Sequence, residues 1–365
     1  MKKLILSVLF LCMLPSNALA DAPYRIGIII PLSGNVAELG LQSKRGAELA
    51  LKHALNEDPG LKVELYFEDS QWNARTGLNA YHNLRVRDRV SAVVTGASHV
   101  SMAVKPLAKQ DKIIQMAIYS ATTDYSSADD LAFRMSTVSS IEAQALINFI
   151  RASGMNRIAI LYVENDYGMS MFDDSREYIV NHLDNTELIF SDSFLAEQSD
   201  FRSELMRISR QKADALIVYG LAVHTATVLR QASALQMEVP VFGARSTQDS
   251  ALLDLAGSYA EGFRYTYSFD ESMPSEISQR FVSSYQKNYG IVPDAYSAEA
   301  YEGTRILIKS FQKCGHDPEC AADFIGSLQK APSLFGEISF DRNGDVLYDF
   351  FMKEVRDGKF VRSAD

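Results

Sequence analysis

Beyond Leu14 the 365-residue chain has only two cysteines, one tryptophan and no apolar run near the ~18 residues that a membrane span requires. It also lacks the short motifs of common catalysis. There is no G-x-S-x-G elbow, no G-x-x-x-x-G-K-[ST] phosphate loop, no G-x-G-x-x-G fingerprint and no H-E-x-x-H pair. Ser98 beside His99 offers a hydroxyl and a base, but the spacing places no third group or oxyanion hole. The run Asp341-Arg342-Asn343-Gly344-Asp345 matches part of a calcium loop, yet its Gly falls too early and the distal Glu is absent, so a turn between strands fits better. These absences weigh against an enzyme and call for no metal or organic cofactor.

The N-terminus sets the compartment. Lys2 and Lys3 precede an apolar stretch from Leu4 to Leu14, and Ala18-Leu19-Ala20 supplies small residues at the positions where a secretory signal is cut. Residues 1–20 are therefore read as a cleaved signal peptide, and Cys12, which follows Leu11, does not fit a lipid-anchored start. Without Lys2 and Lys3 the 36 basic residues become 34, against 46 acidic, a net charge of -12. That acidity argues against nucleic acid or an anionic membrane as partner. The remaining pair, Cys314 and Cys320 in CGHDPEC, reads as a small disulfide loop in an oxidising space. His316 between them suggests a metal, but a structural zinc usually takes four protein ligands and only three stand close.

Short β-rich runs alternate with helical patterns along the mature chain. Strands are predicted at Arg25–Ile30, Lys62–Phe67, Ala92–Gly96, Ile113–Tyr119, Arg157–Val163, Leu188–Phe194, Ala215–Gly220, Val239–Gly243 and Gly262–Tyr267. Helices are predicted at Ser43–Leu55 and at Ile141–Arg151, the second opened by Ser139 and Glu142 at capping-box spacing. The pattern implies an α/β fold of parallel sheets flanked by helices, in two similar lobes split near Ser139. In such sheets ligands bind beyond the carboxyl ends of the strands. Several of those ends are polar or Gly-rich: PLSGN, TGASHVS, YSATTD, ENDYG, YGLAVH and GARSTQD.

With these strand ends in place, the chain resembles the type I periplasmic binding proteins of ABC importers, especially the leucine/isoleucine/valine-binding branch. The resemblance runs through IGIIIPLSG, GLQSKRGAELAL, VVTGASHVSMAVKPLA, YSATTD, RIAILYVENDYG, LAGSYAEGF and ISFDRNGDV, in that order. It implies two Rossmann-like lobes joined by three crossovers, an N-terminal lobe of residues 21–139 and 269–343, and a C-terminal lobe of residues 140–268 and 344–365. It implies a small ligand held between them, delivery to an ABC permease in the inner membrane, and a periplasmic location. A sensor of the same fold, signalling to a membrane kinase or regulator, is the alternative, and an enzyme is the remote one.

The resemblance also places site residues. Ser98 and Thr122 match the hydroxyls that hold the ligand carboxylate, Ser120 contributes backbone, and His99 and Ala121 adjoin them. Tyr167 and Tyr296 match aromatics against the ligand. Leu39 stands where amino-acid binders carry an aromatic, and Leu221 or Ala222 replaces an expected tyrosine. Arg245 stands where those binders place the acid that pairs the ligand ammonium. At about 4 Å and an effective dielectric near 20, an ammonium beside an unpaired Arg is repelled by roughly 4 kcal/mol, about a thousandfold in affinity. The expected ligand is therefore anionic and lacks a free α-amino group.

Overall fold

The computed structural model describes residues 22–125, 127–128 and 130–363, so the predicted signal peptide lies outside the described residues. Runs of aliphatic residues become parallel strands because helices cover both faces of the sheets. β1 (Tyr24–Ile30), β2 (Val63–Asp69), β3 (Ala92–Gly96), β4 (Ile114–Ile118) and β5 (Ala132–Arg134) form one parallel sheet in the order β2-β1-β3-β4-β5. Every residue of β3 and β4 is buried, which is why neither shows polar alternation.

A second sheet repeats this winding. β6 (Arg157–Val163), β7 (Glu187–Phe194), β8 (Ala215–Tyr219), β9 (Val241–Gly243) and β10 (Arg264–Tyr267) run β7-β6-β8-β9-β10. β11 (Ala331–Ser333), β12 (Gly336–Phe340) and β13 (Val346–Leu347) make a small antiparallel sheet, and β14 (Phe351–Arg356) with β15 (Lys359–Arg362) extend the second sheet beyond β10. Asp357 and Gly358 join β14 to β15 with φ of 52° and 66°, as a two-residue hairpin loop requires.

Helices α1 (Ala37–Glu57), α2 (Ala74–Asn83) and α3 (Ser98–Gln110) follow β1, β2 and β3, and α4 (Ser139–Ala152) leads into the second sheet. There α5 (Asp166–His182), α6 (Arg202–Arg210), α7 (Ala222–Ala234) and α8 (Ser250–Ala256) alternate with the strands. The chain then returns to the first lobe through α9 (Glu276–Tyr289), α10 (Ala295–Cys314) and α11 (Pro318–Gly326), with α10 packed along α1. A Cβ on Gly46 would stand 2.1 Å from the Ser297 carbonyl oxygen, so this glycine permits the close approach of the two helices. The chain thus crosses between lobes after β5, after β10 and after β13.

All nine predicted strands form, with ends within two residues. The capping box does not. The residue that caps α4 is Val138, without a side-chain bond, and the buried Glu142 carboxylate instead accepts from the Arg245 backbone N–H and the Thr266 hydroxyl, both at 2.8 Å. The calcium-like run is a turn between β12 and β13, where Asp341 Oδ1 accepts the N–H groups of Asn343 and Asp345.

The sulfur atoms of Cys314 and Cys320 stand 2.05 Å apart where α10 turns into α11, and the ring nitrogens of His316 lie 3.3 Å from Ser91 Oγ and 3.2 Å from the Ala22 carbonyl. Neither cysteine lines the cavities described below. Protein from an oxidising compartment, unfolded without reductant, is expected to titrate no free thiol. Replacing both cysteines by Ser is expected to cost about 2 kcal/mol in urea melts, from the closed loop's entropy, and to leave ligand affinity unchanged. Two reactive thiols would contradict the pairing.

Candidate functional site: the cleft between the lobes

The winding of each sheet reverses between the first and third strands of the lobe, β1 and β3 in one and β6 and β8 in the other, and the loops at the carboxyl ends of both sheets converge on one cleft. Its inner chamber leaves about 40 Å³ free and its outer chamber about 630 Å³. Leu39, Trp72, Leu221, Ser246 and Tyr296 line both.

The first lobe gives the inner chamber an aromatic wall. Trp72 lies edge-on to His99 (5.3 Å between ring centroids) and roughly parallel to Tyr119 (6.4 Å), and Tyr119 meets Tyr296 edge-on at 5.4 Å. Gly96 is required beneath it, since a Cβ there would fall 2.1 Å from the Tyr119 hydroxyl. Asp69 knits the loops in front: its carboxylate accepts from the Leu32 and Gln71 N–H groups at 2.8 Å and from the Ser33 hydroxyl at 2.6 Å. Gln71 and Trp72 are held at φ of 50° and 54°, a conformation that costs non-glycine residues of order 1–3 kcal/mol and persists only where the surroundings impose it.

The amino end of α3 opens on this chamber. Ala97, at φ 79°, turns the chain into the helix without a side-chain cap, so the first-turn N–H groups have no partner within the helix and favour an anion. Ser98 and His99 line the chamber beside them. His99 Nε2 lies 3.1 Å from the Trp72 carbonyl, and burial lowers its pKa against the pull of that bond. Ser98 Oγ accepts the Ala121 N–H at 3.2 Å. Ser120, Ala121 and Thr122 are not part of the chamber wall; the Thr122 carbonyl accepts from Arg134 at 2.7 Å.

The second lobe supplies Val163, Asn165, Tyr167, Arg245 and Ser246. Tyr167 and Ser246 share a 2.8 Å hydroxyl bond, and Ser246 donates in turn to the Gly220 carbonyl. Arg245 faces the chamber, but it is not the unpaired cation expected from the sequence. Its Nη1 donates to Glu299 at 2.9 Å and its Nε lies 3.5 Å from Glu142. Burial opposes the Arg245 charge, yet Glu299 and Glu142 outweigh burial and raise its pKa above the ordinary value. The roughly 4 kcal/mol repulsion of an ammonium assumed a bare guanidinium and is reduced by this pairing. What replaces it is the absence of an available acid: no Asp or Glu lines the inner chamber among the described residues, and Arg245 is its only permanently charged side chain.

Glu299 is the hub behind this wall. Its carboxylate also accepts from the Tyr119 N–H at 2.5 Å, the Ser136 hydroxyl at 2.6 Å and the Tyr348 hydroxyl at 3.3 Å. Burial pushes its pKa up, against the pull of Arg245 and the other donors. Beside the chamber the lobes touch again, where Thr123 donates its N–H to Ser170 and its hydroxyl to Asp174, both at 3.0 Å.

Leu39, Ser98, His99, Tyr167, Arg245 and Tyr296 are thus brought together as the sequence suggested, while Ser120, Ala121 and Thr122 sit one layer back. Sequence reasoning missed Trp72, Tyr119, Glu142 and Glu299. The only tryptophan, after a strand end, was the available signal for Trp72, and an acid flanked by alanines within DAYSAEAYEG was the one for Glu299.

Two like-wound α/β lobes enclosing a cavity at their strand ends define a two-lobed solute-binding protein. The chain belongs to the periplasmic binding protein family, whose model matches residues 23–359. It is similar to Leu/Ile/Val-binding protein homolog 3 of Brucella melitensis, at 22% identity covering 98% of each chain, and to the Leu/Ile/Val-binding protein BraC3 of Rhizobium johnstonii, at 23% covering 94% of each. Among solved structures it is similar to the leucine-binding protein LivK of Thermotoga maritima (TM-score 0.86, 21% identity, 93% of this chain and 98% of that one). It is also similar to an R. palustris ABC transporter solute-binding protein in complex with benzoate (TM-score 0.82, 18% identity, 93% and 95%). The family match with the Leu/Ile/Val-binding relatives and LivK places the chain in the type I leucine/isoleucine/valine-binding branch, and these relatives are solute-binding proteins.

Glu299→Ala is expected to cost about 3–5 kcal/mol in urea melts, because it strips Arg245 of a buried partner and leaves the Tyr119 N–H and the Ser136 hydroxyl without that acceptor, while the Tyr348 hydroxyl keeps the Met135 carbonyl at 2.9 Å. A loss under about 1 kcal/mol would show that the hub is dispensable. His224, on the outer chamber, accepts the Leu221 N–H at Nδ1 (3.1 Å) and bonds the Ala196 carbonyl through Nε2 (2.8 Å). Burial lowers its pKa below the ordinary 6.5. Its contribution to stability is therefore present above pH ~6.5 and is lost as pH falls through the folded-state value. An NMR titration is expected to give a His224 midpoint below that of the unfolded chain, and a higher one would refute the neutral assignment.

Proposed function

We propose that this protein captures a small carboxylic acid without a free α-amino group and presents it to an ABC permease of the inner membrane. In this reading the mature protein, freed of residues 1–20, works in the periplasm with Cys314 and Cys320 joined. Its lobes are residues 21–139 with 269–343, and 140–268 with 344–365. The observation that carries the ligand class is the inner chamber's charge: Arg245 faces it, the amino end of α3 opens on it, and no carboxylate lines it among the described residues. An ammonium entering there would meet donors and a cation with no free acceptor of opposite sign.

The carboxylate sits on the Ser98 hydroxyl and the first-turn N–H groups of α3, with the free edge of Arg245 opposite and Tyr167 and Tyr296 as apolar flanks. Contacts from both lobes at once favour the closed form. Similar solved structures are complexes with benzoate in one case and isoleucine in another, so the likeness allows either class.

In a thermal-shift screen, benzoate, keto acids or other acids lacking an α-ammonium are expected to raise the melting temperature, and leucine, isoleucine and valine are not. Ser98→Ala is expected to weaken the acid by about tenfold or more, one charge-assisted bond of roughly 1.5–3 kcal/mol. Tight leucine binding by the unmodified protein would refute the reading.

A further inference from the structure

The two chambers differ in size and in charge, and both differences bear on the shape of the ligand. The 40 Å³ free in the inner chamber is far less than the space in the outer one. The 630 Å³ of the outer chamber lies within the ~300–1,000 Å³ typical of small-molecule sites. With the lobes as they stand, the inner chamber has room for the carboxylate head, and most of the ligand's volume falls to the outer chamber. The body of the acid has to run outward between Leu39 and Leu221, which line both chambers.

Charge reverses along the same path. The inner end presents Arg245, whereas the outer chamber is lined by Glu197 and Asp249 and by no Lys or Arg among the described residues. Asp249 is held in place because its Oδ1 accepts the Ala251 N–H at 2.8 Å at the start of α8. His224 adds no positive charge, because both its ring nitrogens are committed to Leu221 and Ala196. Gln71, Gln198 and Thr227 supply further neutral polar groups.

Resting on the carboxylate reading above, we propose that the ligand is an elongated acid whose far end carries hydrogen-bond donors or a cation and not a second carboxylate. The head is held at Arg245 and Ser98 and the tail beside Glu197 and Asp249. Short dicarboxylates are thereby excluded from the ligand class.

Calorimetric titration of the full mature protein at low ionic strength, with benzoate, 6-aminohexanoate, 6-hydroxyhexanoate and adipate, tests this. The amino and hydroxy acids are expected to bind about tenfold or more tighter than adipate, the effect of one charge-assisted bond against one like-charge contact. Glu197→Gln is expected to reduce the ratio of 6-aminohexanoate to adipate affinity several-fold. Leu221→Trp, which narrows the passage, is expected to weaken the long acids about tenfold relative to benzoate measured on the same variant. Adipate binding as tightly as the amino acid, or Leu221→Trp weakening all four alike, would overturn the elongated ligand while leaving the carboxylate reading intact. Binding of none of the four, or of leucine alone, would overturn both.

Discussion

One buried carboxylate holds the two lobes in register. Glu299 lies on α10 in the first lobe, yet its four donors come from the end of β4, from two of the three interlobe crossings and from Arg245 at the end of β9. A charge at 1% exposure persists only if its lone pairs are filled. Filling them fixes Tyr119, Ser136, Tyr348 and Arg245 relative to one another. Tyr119 and Arg245 line the inner chamber, and Ser136 and Tyr348 lie in segments where the chain crosses between the lobes. Glu142 completes the arrangement by holding the Arg245 backbone and flanking its guanidinium from the second lobe.

This arrangement links binding to closure. A guanidinium shared between a carboxylate of each lobe ties the lobes together, and in the proposed reading a ligand carboxylate beside it would add contacts that exist only when both lobes are present. In the proposed reading the two acids also bear on selectivity, because the charge each offers goes to Arg245 rather than to an ammonium. The same residue type at the same position therefore acts less through bare repulsion than through the acceptors that it occupies. Around this centre the fold contributes what a doubly wound sheet gives without further design: eight loops at strand ends, a helix terminus aimed inward and a cavity that widens toward solvent.

Much of the fold is legible in the sequence because buried parallel strands are short, continuous apolar runs bounded by Gly and polar residues, as in AVVTG and IAILYV. Six strands escape notice. Of these, β5, β11 and β13 are two or three residues long and too short to show a period. The others, β12, β14 and β15, of five, six and four residues, pair antiparallel in a C-terminal stretch that lacks the long apolar runs of the parallel strands. Site residues that directly follow a strand, such as Ser98, Tyr167 and Arg245, are legible for the same reason. Thr122 is set back because Tyr119, at φ 38°, turns the chain away after β4. Glu142 reads as a cap from its spacing to Ser139, and only the partners 103 and 124 residues away reveal its role. Glu299 is illegible in kind, since its donors are 49 to 180 residues distant and no local pattern encodes such a meeting.

The central claim is that the cleft holds an acid without an α-ammonium. Protein purified from its source cells without unfolding, then denatured and analysed by mass spectrometry, shows directly which molecule the cleft retains. The account predicts a carboxylic acid lacking an α-amine, released in amounts that fall when Arg245 is replaced by Met. Release of leucine, isoleucine or valine at near one molecule per chain would contradict it.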